Sequence, residues 1–266
     1  MSLSVVILAA GKGTRMFSEQ PKVLHKLADQ PMLQYVIDIA NELNPKNTNV
    51  IVGYKAKEVK HALTHEKVNW ILQEKQLGTG DAVKYAIPNL TGEQTLILYG
   101  DVPLVKINEL KKLIKIGEKG LSILTFNKIN PTGYGRIVRG RTGVEAIVEE
   151  KDCSDAQKEI TEINTGIMVA DTKYLINWLS LISNINSQKE YYLTDIVALA
   201  KKDNIEINTI EADSEITISG VNSKIELAKM ERAIQLKKAN TLMEQGVTLL
   251  DPSGTDIRGH LDCGKD

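Results

Sequence analysis

An apolar run, Val5 to Leu8, breaks abruptly into Ala9-Ala10-Gly11-Lys12-Gly13-Thr14-Arg15-Met16, and this junction limits the possible folds more than any other stretch. A short continuous apolar segment reads as a strand buried on both faces, as in a parallel sheet. Two glycines after it let the backbone approach a ligand, and their N–H groups can face a common concavity that holds phosphate oxygens. Lys12 and Arg15 bring positive charge, and Pro21-Lys22 adds another cation. The pattern predicts a phosphate-binding loop at the C-terminal end of the first strand of an α/β sheet; a plain Gly-rich strand-to-helix turn is the alternative. Two common phosphate loops are excluded. A Walker A loop needs a glycine where Val6 stands and Ser or Thr where Gly13 follows Lys12. A dinucleotide fingerprint needs a third glycine where Met16 stands, which also removes a dinucleotide-dependent oxidoreductase.

At 266 residues the chain can bury a substantial core, as one large domain or one plus an appendage. A net charge of −1 offers no basic excess for nucleic acid. No stretch reaches the roughly 18 apolar residues of a membrane span, and a start that runs straight into a strand shows no signal peptide. Cys153 and Cys263 are far apart and unaccompanied, which fits a reducing cytoplasm rather than a disulfide scaffold. His25, His61, His65 and His260 lack zinc spacing, and His61 and His65 read as a solvated helix face.

Further along, helical spacing of Leu33, Val36, Ile37, Ala40 and Leu43 predicts a helix from Pro31. Strands are predicted over 49–53 and 68–72, with a helix over 55–63 between them. This alternation implies a parallel sheet with helices on both faces. Gln73-Glu74-Lys75-Gln76-Leu77-Gly78-Thr79-Gly80-Asp81 then offers backbone N–H groups at a helix start and two neutral amides that can read a base edge, or else a simple turn. A strand over 95–99 ends in Gly100-Asp101, where open α/β sheets bind ligands. Asp101 suits a hard divalent cation, which takes one or two carboxylates plus substrate phosphates, or caps the next helix. A strand over 121–127, a Gly-rich loop over 131–137 and a return strand over 143–150 follow. Asn164, inside an apolar strand over 163–168, needs a partner such as a sugar hydroxyl, or marks a bulge or edge. A helix over 193–200 and an extended run over 205–210 precede a final strand over 216–222. A helix of roughly 33 Å over 224–245, long enough to leave the globule, ends at Gly246.

Taken together these motifs closely resemble the N-acetylglucosamine-1-phosphate uridyltransferases, the pyrophosphorylase domain of the bacterial bifunctional enzymes of UDP-N-acetylglucosamine synthesis. The resemblance runs through Leu8 to Met16, Pro21 to His25, Gln73 to Gly80, Tyr99 to Pro103, Gly133 to Ile137, Glu149-x-Lys151, Glu162 to Gly166 and Gly220 to Asn222. It implies a Rossmann-like nucleotidyltransferase fold with a mostly parallel sheet over residues 1–224, a linker helix over 225–245 and, over 246–266, the start of a left-handed β-helix. It implies a cytoplasmic chain that is cut short, or is naturally monofunctional, and without the acetyl-CoA-dependent acetyltransferase. The family trimer is built largely by the β-helix, so a monomer is expected. Asp81 stands where most relatives carry His.

The implied reaction joins UTP and N-acetylglucosamine-1-phosphate into UDP-N-acetylglucosamine and pyrophosphate. By resemblance, Asp101 and Asn222 hold Mg²⁺. Arg15 and Lys22 neutralise phosphate charge, and the backbone of Gly11 to Thr14 holds the β and γ phosphates. Ala10, Gln73, Gln76 and Gly78 read uracil. Thr79, Gly135, Glu149 and Asn164 hold the sugar, and Leu8, Ala9, Tyr99 and Gly100 line the site. A cytidylyltransferase of isoprenoid synthesis, a thymidylyltransferase for glucose-1-phosphate, or a nucleotide-sugar-binding module without turnover are the competing readings.

Overall fold

The computed structural model describes residues 1–118, 120–259 and 261–265; His260, one of the four histidines above, and Asp266, the last residue of the expected stub, lie outside them. Eleven strands form among the described residues: β1 (Leu3–Ala9), β2 (Lys26–Leu27), β3 (Gln30–Pro31), β4 (Asn47–Val52), β5 (Asn69–Leu72), β6 (Gln94–Tyr99), β7 (Leu121–Asn127), β8 (Arg136–Gly140), β9 (Gly143–Val148), β10 (Glu162–Asp171) and β11 (Ile207–Glu211). The helices are α1 (Met32–Asn41), α2 (Ala56–Ala62), α3 (Thr79–Ala86), α4 (Ile107–Ile116), α5 (Asp155–Lys158), α6 (Thr172–Leu181), α7 (Asp195–Lys202), α8 (Glu215–Ile218) and α9 (Lys224–Glu244).

The main sheet runs β11-β7-β10-β6-β1-β4-β5, with β8 and β9 as a hairpin attached through β10. Neighbouring strands on the main path are parallel except at β10, which is antiparallel to both β6 and β7. From β1 the chain builds outward through β4 and β5, then returns to β1's other side with β6. The sheet order therefore reverses between β1 and β6, and open α/β sheets bind ligands at the carboxyl ends of strands beside such a reversal.

Alternation along β1 explains the two cores. Val5 and Ile7 face one side, with Leu33, Val36 and Ile37 of α1 and Leu110 and Leu113 of α4. Val6 faces the other, with Ala82 and Val83 of α3, Trp178 of α6 and Ile196 and Val197 of α7. Each such aliphatic side chain, taken fully out of water, contributes about 1.5–3 kcal/mol, which outweighs any local preference. The Trp178 ring is buried, and its indole N–H donates to Asp203 at 2.8 Å.

Two expectations are corrected. The strand predicted over 216–222 does not form. Glu215–Ile218 closes a helical turn in which the Thr217 hydroxyl donates to the Ser214 carbonyl at 2.8 Å, and Val221 N–H donates to the Asp101 carbonyl at 3.0 Å. That second bond ties the segment to the end of β6 and takes it off the sheet. Nor does α9 stand clear of the globule. Met230 and Ile234 pack with Met16, Leu27, Met32 and Val221. The tail returns along the helix, with Ile257 N–H donating to Gln235 Oε1 at 2.6 Å and Lys238 to the Ile257 carbonyl at 3.0 Å. Among the described residues of 246–265 no strand forms.

Candidate active site

Three stretches meet at the reversal point. Gly100 N–H donates to the Leu8 carbonyl at 2.9 Å, and Tyr54 N–H donates to the Ala10 carbonyl at 3.1 Å, so the ends of β1, β4 and β6 are stitched together. The glycine loop then turns through Gly13, which takes φ +65°, a left-handed conformation suited to glycine. A Cβ there would sit 2.6 Å from Lys22 Cβ, so the bare position is what lets Lys22 pass beneath the loop. Gly11 has open space where its Cβ would be. Thr14 and Arg15 are exposed, and buried Met16 anchors the loop.

The Lys22 ammonium is bonded to the Asp101 carboxylate and to the Asn222 amide oxygen, the latter at 3.0 Å. Asn222 is placed by the start of α9. Its N–H donates to Glu226 Oε2 at 2.6 Å, while Ser223 caps the helix by accepting from Glu226 N–H at 3.2 Å. Asp101 caps no helix; Lys106 occupies the position before α4.

On the other side of the cleft, buried Gln73 directs its amide nitrogen to Asp81 Oδ2 at 2.7 Å and to the Gly78 carbonyl at 3.3 Å. The Gln76 amide nitrogen donates to the Gln73 carbonyl at 3.3 Å. The 77–80 loop is laced to the segment between α6 and α7. Tyr191 N–H donates to Leu77 and Gly80 N–H to Tyr191, each at 2.8 Å, and Leu193 N–H donates to the Thr79 hydroxyl at 3.1 Å. Gly78, at φ +113°, would bring a Cβ within 2.6 Å of the Tyr191 carbonyl.

A further cluster lies beside Tyr99, which lines the cleft together with Thr79. Glu149 accepts from the Thr194 hydroxyl at 2.9 Å. Burial pushes its carboxyl above the usual range; the Thr194 bond opposes this, and Asp195, Asp152 and Glu190 add to it. A Cβ on Gly135 would lie 3.5 Å from the Glu149 carboxylate, and the Gly135 carbonyl accepts from Asn164 N–H at 2.8 Å. Asn164 marks a register shift in β10, and its side-chain oxygen accepts from Gly166 N–H at 3.0 Å. The bulge alternative therefore accounts for its acceptor.

Leu8, Ala9, Ala10, Gly11, Lys22, Gln73, Gln76, Gly78, Thr79, Tyr99 and Asp101 line one cleft of about 230 Å³. Asn222 joins it through Lys22. Gly13, Thr14 and Arg15 stand in the loop at its rim, Gly100 in the strand end behind it, and Gly135, Glu149 and Asn164 in the cluster beside Tyr99. The sequence reading missed Glu190, which also lines the cleft, and the bonds of Asp81 and Thr194. Only the Thr194-Asp195 pair carried a local signal, that of a helix start.

A glycine loop and an acid flank the reversal point of a mostly parallel sheet, where open α/β sheets bind their ligands. The fold is shared with a UDP-glucose pyrophosphorylase complexed with UDP-glucose, at a TM-score of 0.72 and 16% identity over 89% of this chain and 100% of that one. It is shared also with a nucleotidyl transferase from Methanothermobacter thermautotroptrophicus, at a TM-score of 0.63 and 17% identity over 86% and 96% of the two chains.

The chain belongs to the family of MobA-like NTP transferase domains, whose model matches residues 5–140. It is 50% identical over 269 residues to the bifunctional protein GlmU of Idiomarina loihiensis, and 48% identical over 268 residues to that of Pseudomonas paraeruginosa. All of this chain is covered in both cases, but it spans only 59% of the length of these curated relatives. Among the described residues, no helix is long and apolar enough to cross a membrane.

Proposed function

We propose that the chain transfers UMP from UTP to N-acetylglucosamine-1-phosphate, giving UDP-N-acetylglucosamine and pyrophosphate. The observation that carries this reading is the convergence of Lys22, Asp101 and Asn222 beside the glycine loop, with the Gln73 and Gln76 amides in the same cleft wall. The sugar-phosphate oxygen attacks the α-phosphorus in line and pyrophosphate leaves opposite. That oxygen is already an anion, so positioning and charge neutralisation are the main requirements. Lys22 and Arg15 neutralise the phosphates, and N–H groups of Gly11 to Thr14 cradle the β and γ groups. Ala10, Gln73, Gln76 and Gly78 hold the base. Thr79, Gly135, Glu149 and Asn164 hold the sugar, with the ring of Tyr99 against it and Leu8, Ala9 and Gly100 closing the floor.

Asp101 and Asn222 fit a magnesium ion, because both oxygens already converge on one positive charge, the Lys22 ammonium. Among the described residues no three carboxylate, imidazole or thiol groups cluster as a site, so substrate phosphates would complete the coordination. When bound, the ion supplies Lewis-acid neutralisation of the phosphate oxygens.

We read residues 1–224 as the catalytic unit, 225–245 as a linking helix and 246–266 as the start of a further region. We hold the chain to be a cytoplasmic monomer, which sizing by light scattering tests for its assembly. The activity is tested by pairing four nucleoside triphosphates with several sugar-1-phosphates and measuring pyrophosphate release. Release fastest with UTP and N-acetylglucosamine-1-phosphate is expected; a faster pair, or no release with any, overturns the reading.

A further inference from the structure

A glutamine amide is two-faced, and which end it shows to a base decides which base it accepts. Gln73 is 2% exposed and lies in the wall of the cleft. Both neighbours on one side of its amide, Asp81 Oδ2 at 2.7 Å and the Gly78 carbonyl at 3.3 Å, are acceptors. An ionised carboxylate cannot donate, so the NH₂ end must face them. The reversed amide would set its oxygen against two other acceptors, the carboxylate at 2.7 Å and the carbonyl at 3.3 Å, and forfeit both bonds. Asp81 lies in the first turn of α3, which fixes its backbone beside the Gln73 amide. Gln73 Oε1, which accepts from no group among the described residues, is the end left for a ligand.

Uracil and thymine present N3–H as a donor; cytosine presents a bare N3 acceptor. We propose that Asp81 is a positioning residue that locks Gln73 in its acceptor orientation and so selects pyrimidines with an imide edge against cytosine. This rests on the reading of the cleft given above, in which Gln73 meets the base.

The test measures kcat/KM for UTP, dTTP and CTP with one sugar phosphate, in wild type, Asp81→Asn and Asp81→Glu, with melting curves for each. Asn is nearly isosteric but can show the glutamine either a donor or an acceptor. The UTP-to-CTP preference is expected to fall roughly tenfold in Asp81→Asn, the scale of one charge-assisted hydrogen bond. In Asp81→Glu, which remains an acceptor only, the preference is expected to survive even where the absolute rate falls. An unchanged ratio in Asp81→Asn, or an equal loss with both nucleotides, overturns the proposal and leaves the proposed reaction standing. Wild type preferring dTTP overturns the proposed substrate but supports the imide selection. Wild type preferring CTP overturns both.

Discussion

The Lys22 ammonium and the Asp101 carboxylate form a direct ion pair inside the cleft, each side chain only 13% exposed. The two oxygens proposed to hold a metal, Asp101 Oδ2 and Asn222 Oδ1, are therefore held by a built-in cation. Replacing Lys22 with Met keeps the stem and removes the charge. Binding of Mn²⁺ without nucleotide, read by electron paramagnetic resonance, is expected to tighten in Lys22→Met. Turnover should fall by about 100-fold or more, since a preorganised donor to developing phosphate charge is lost. Unchanged Mn²⁺ affinity would show that the ion pair and the metal do not compete.

Glu149 gives a pH signature. Burial raises its carboxyl above the ordinary value of 4.5, so the native state holds its proton over a window where the unfolded chain has released it. Stability contributed at this site therefore falls as pH rises through that window. Glu149→Gln, which can still accept from Thr194, is expected to melt higher than wild type at neutral pH, with the difference vanishing below the ordinary value. In wild type the KM for the sugar phosphate should rise on acidification through the same window, as the carboxylate loses its acceptor character; in the Gln variant it should be high and flat.

Gly166 takes φ +85°, and a Cβ there would approach the Tyr99 ring to 2.5 Å. Gly166→Ala combines a strained backbone with a clash against a ring wedged between the sheet and the cleft. We expect a loss of about 2–3 kcal/mol in denaturant unfolding, together with a raised KM for the sugar phosphate. A variant as stable as wild type would mean that the ring yields freely.

Arg136 is buried and paired with Glu150 at 2.7 Å, and it also donates to the Tyr134 carbonyl within the 131–136 loop. Removing the cation in Arg136→Leu strands a carboxylate and frees that loop. The expected cost is about 3 kcal/mol, at the low end for a buried pair because the Glu150 side chain is 29% exposed. Chemical denaturation measures it, and limited proteolysis should cut first between residues 128 and 136.

The strand–helix alternation was legible because each element announces itself locally, through an apolar run or a 3.6-residue stripe. The antiparallel sense of β10 was not, since alternation along a strand is the same in either direction. The segment over 216–222 misled for a related reason. Ile216-Thr217-Ile218 fits a strand or one helical turn, and the segment is held off the sheet by one distant bond, from Val221 N–H to the Asp101 carbonyl. In the cleft, the glycine loop and Asp101 stood out by type and spacing. Asp81 did not, because an acid in a helix's first turn is ordinary until Gln73 is seen against it. Glu149 and Thr194 lie 45 residues apart, beyond any local pattern.

The bond between Val221 and Asp101, and that between Asn222 and Lys22, have a consequence for the timing of synthesis. Lys22 and Asn222 are separated by 200 positions, so the cleft is completed only by the last segment before α9. At roughly ten residues per second, a growing chain would spend on the order of ten seconds with Asp101 made and Asn222 still to come. Throughout that interval the sheet can assemble around β1, β4 and β6 while the cleft lacks one wall. Competence would then arrive in one late step, when 220–222 docks against the end of β6.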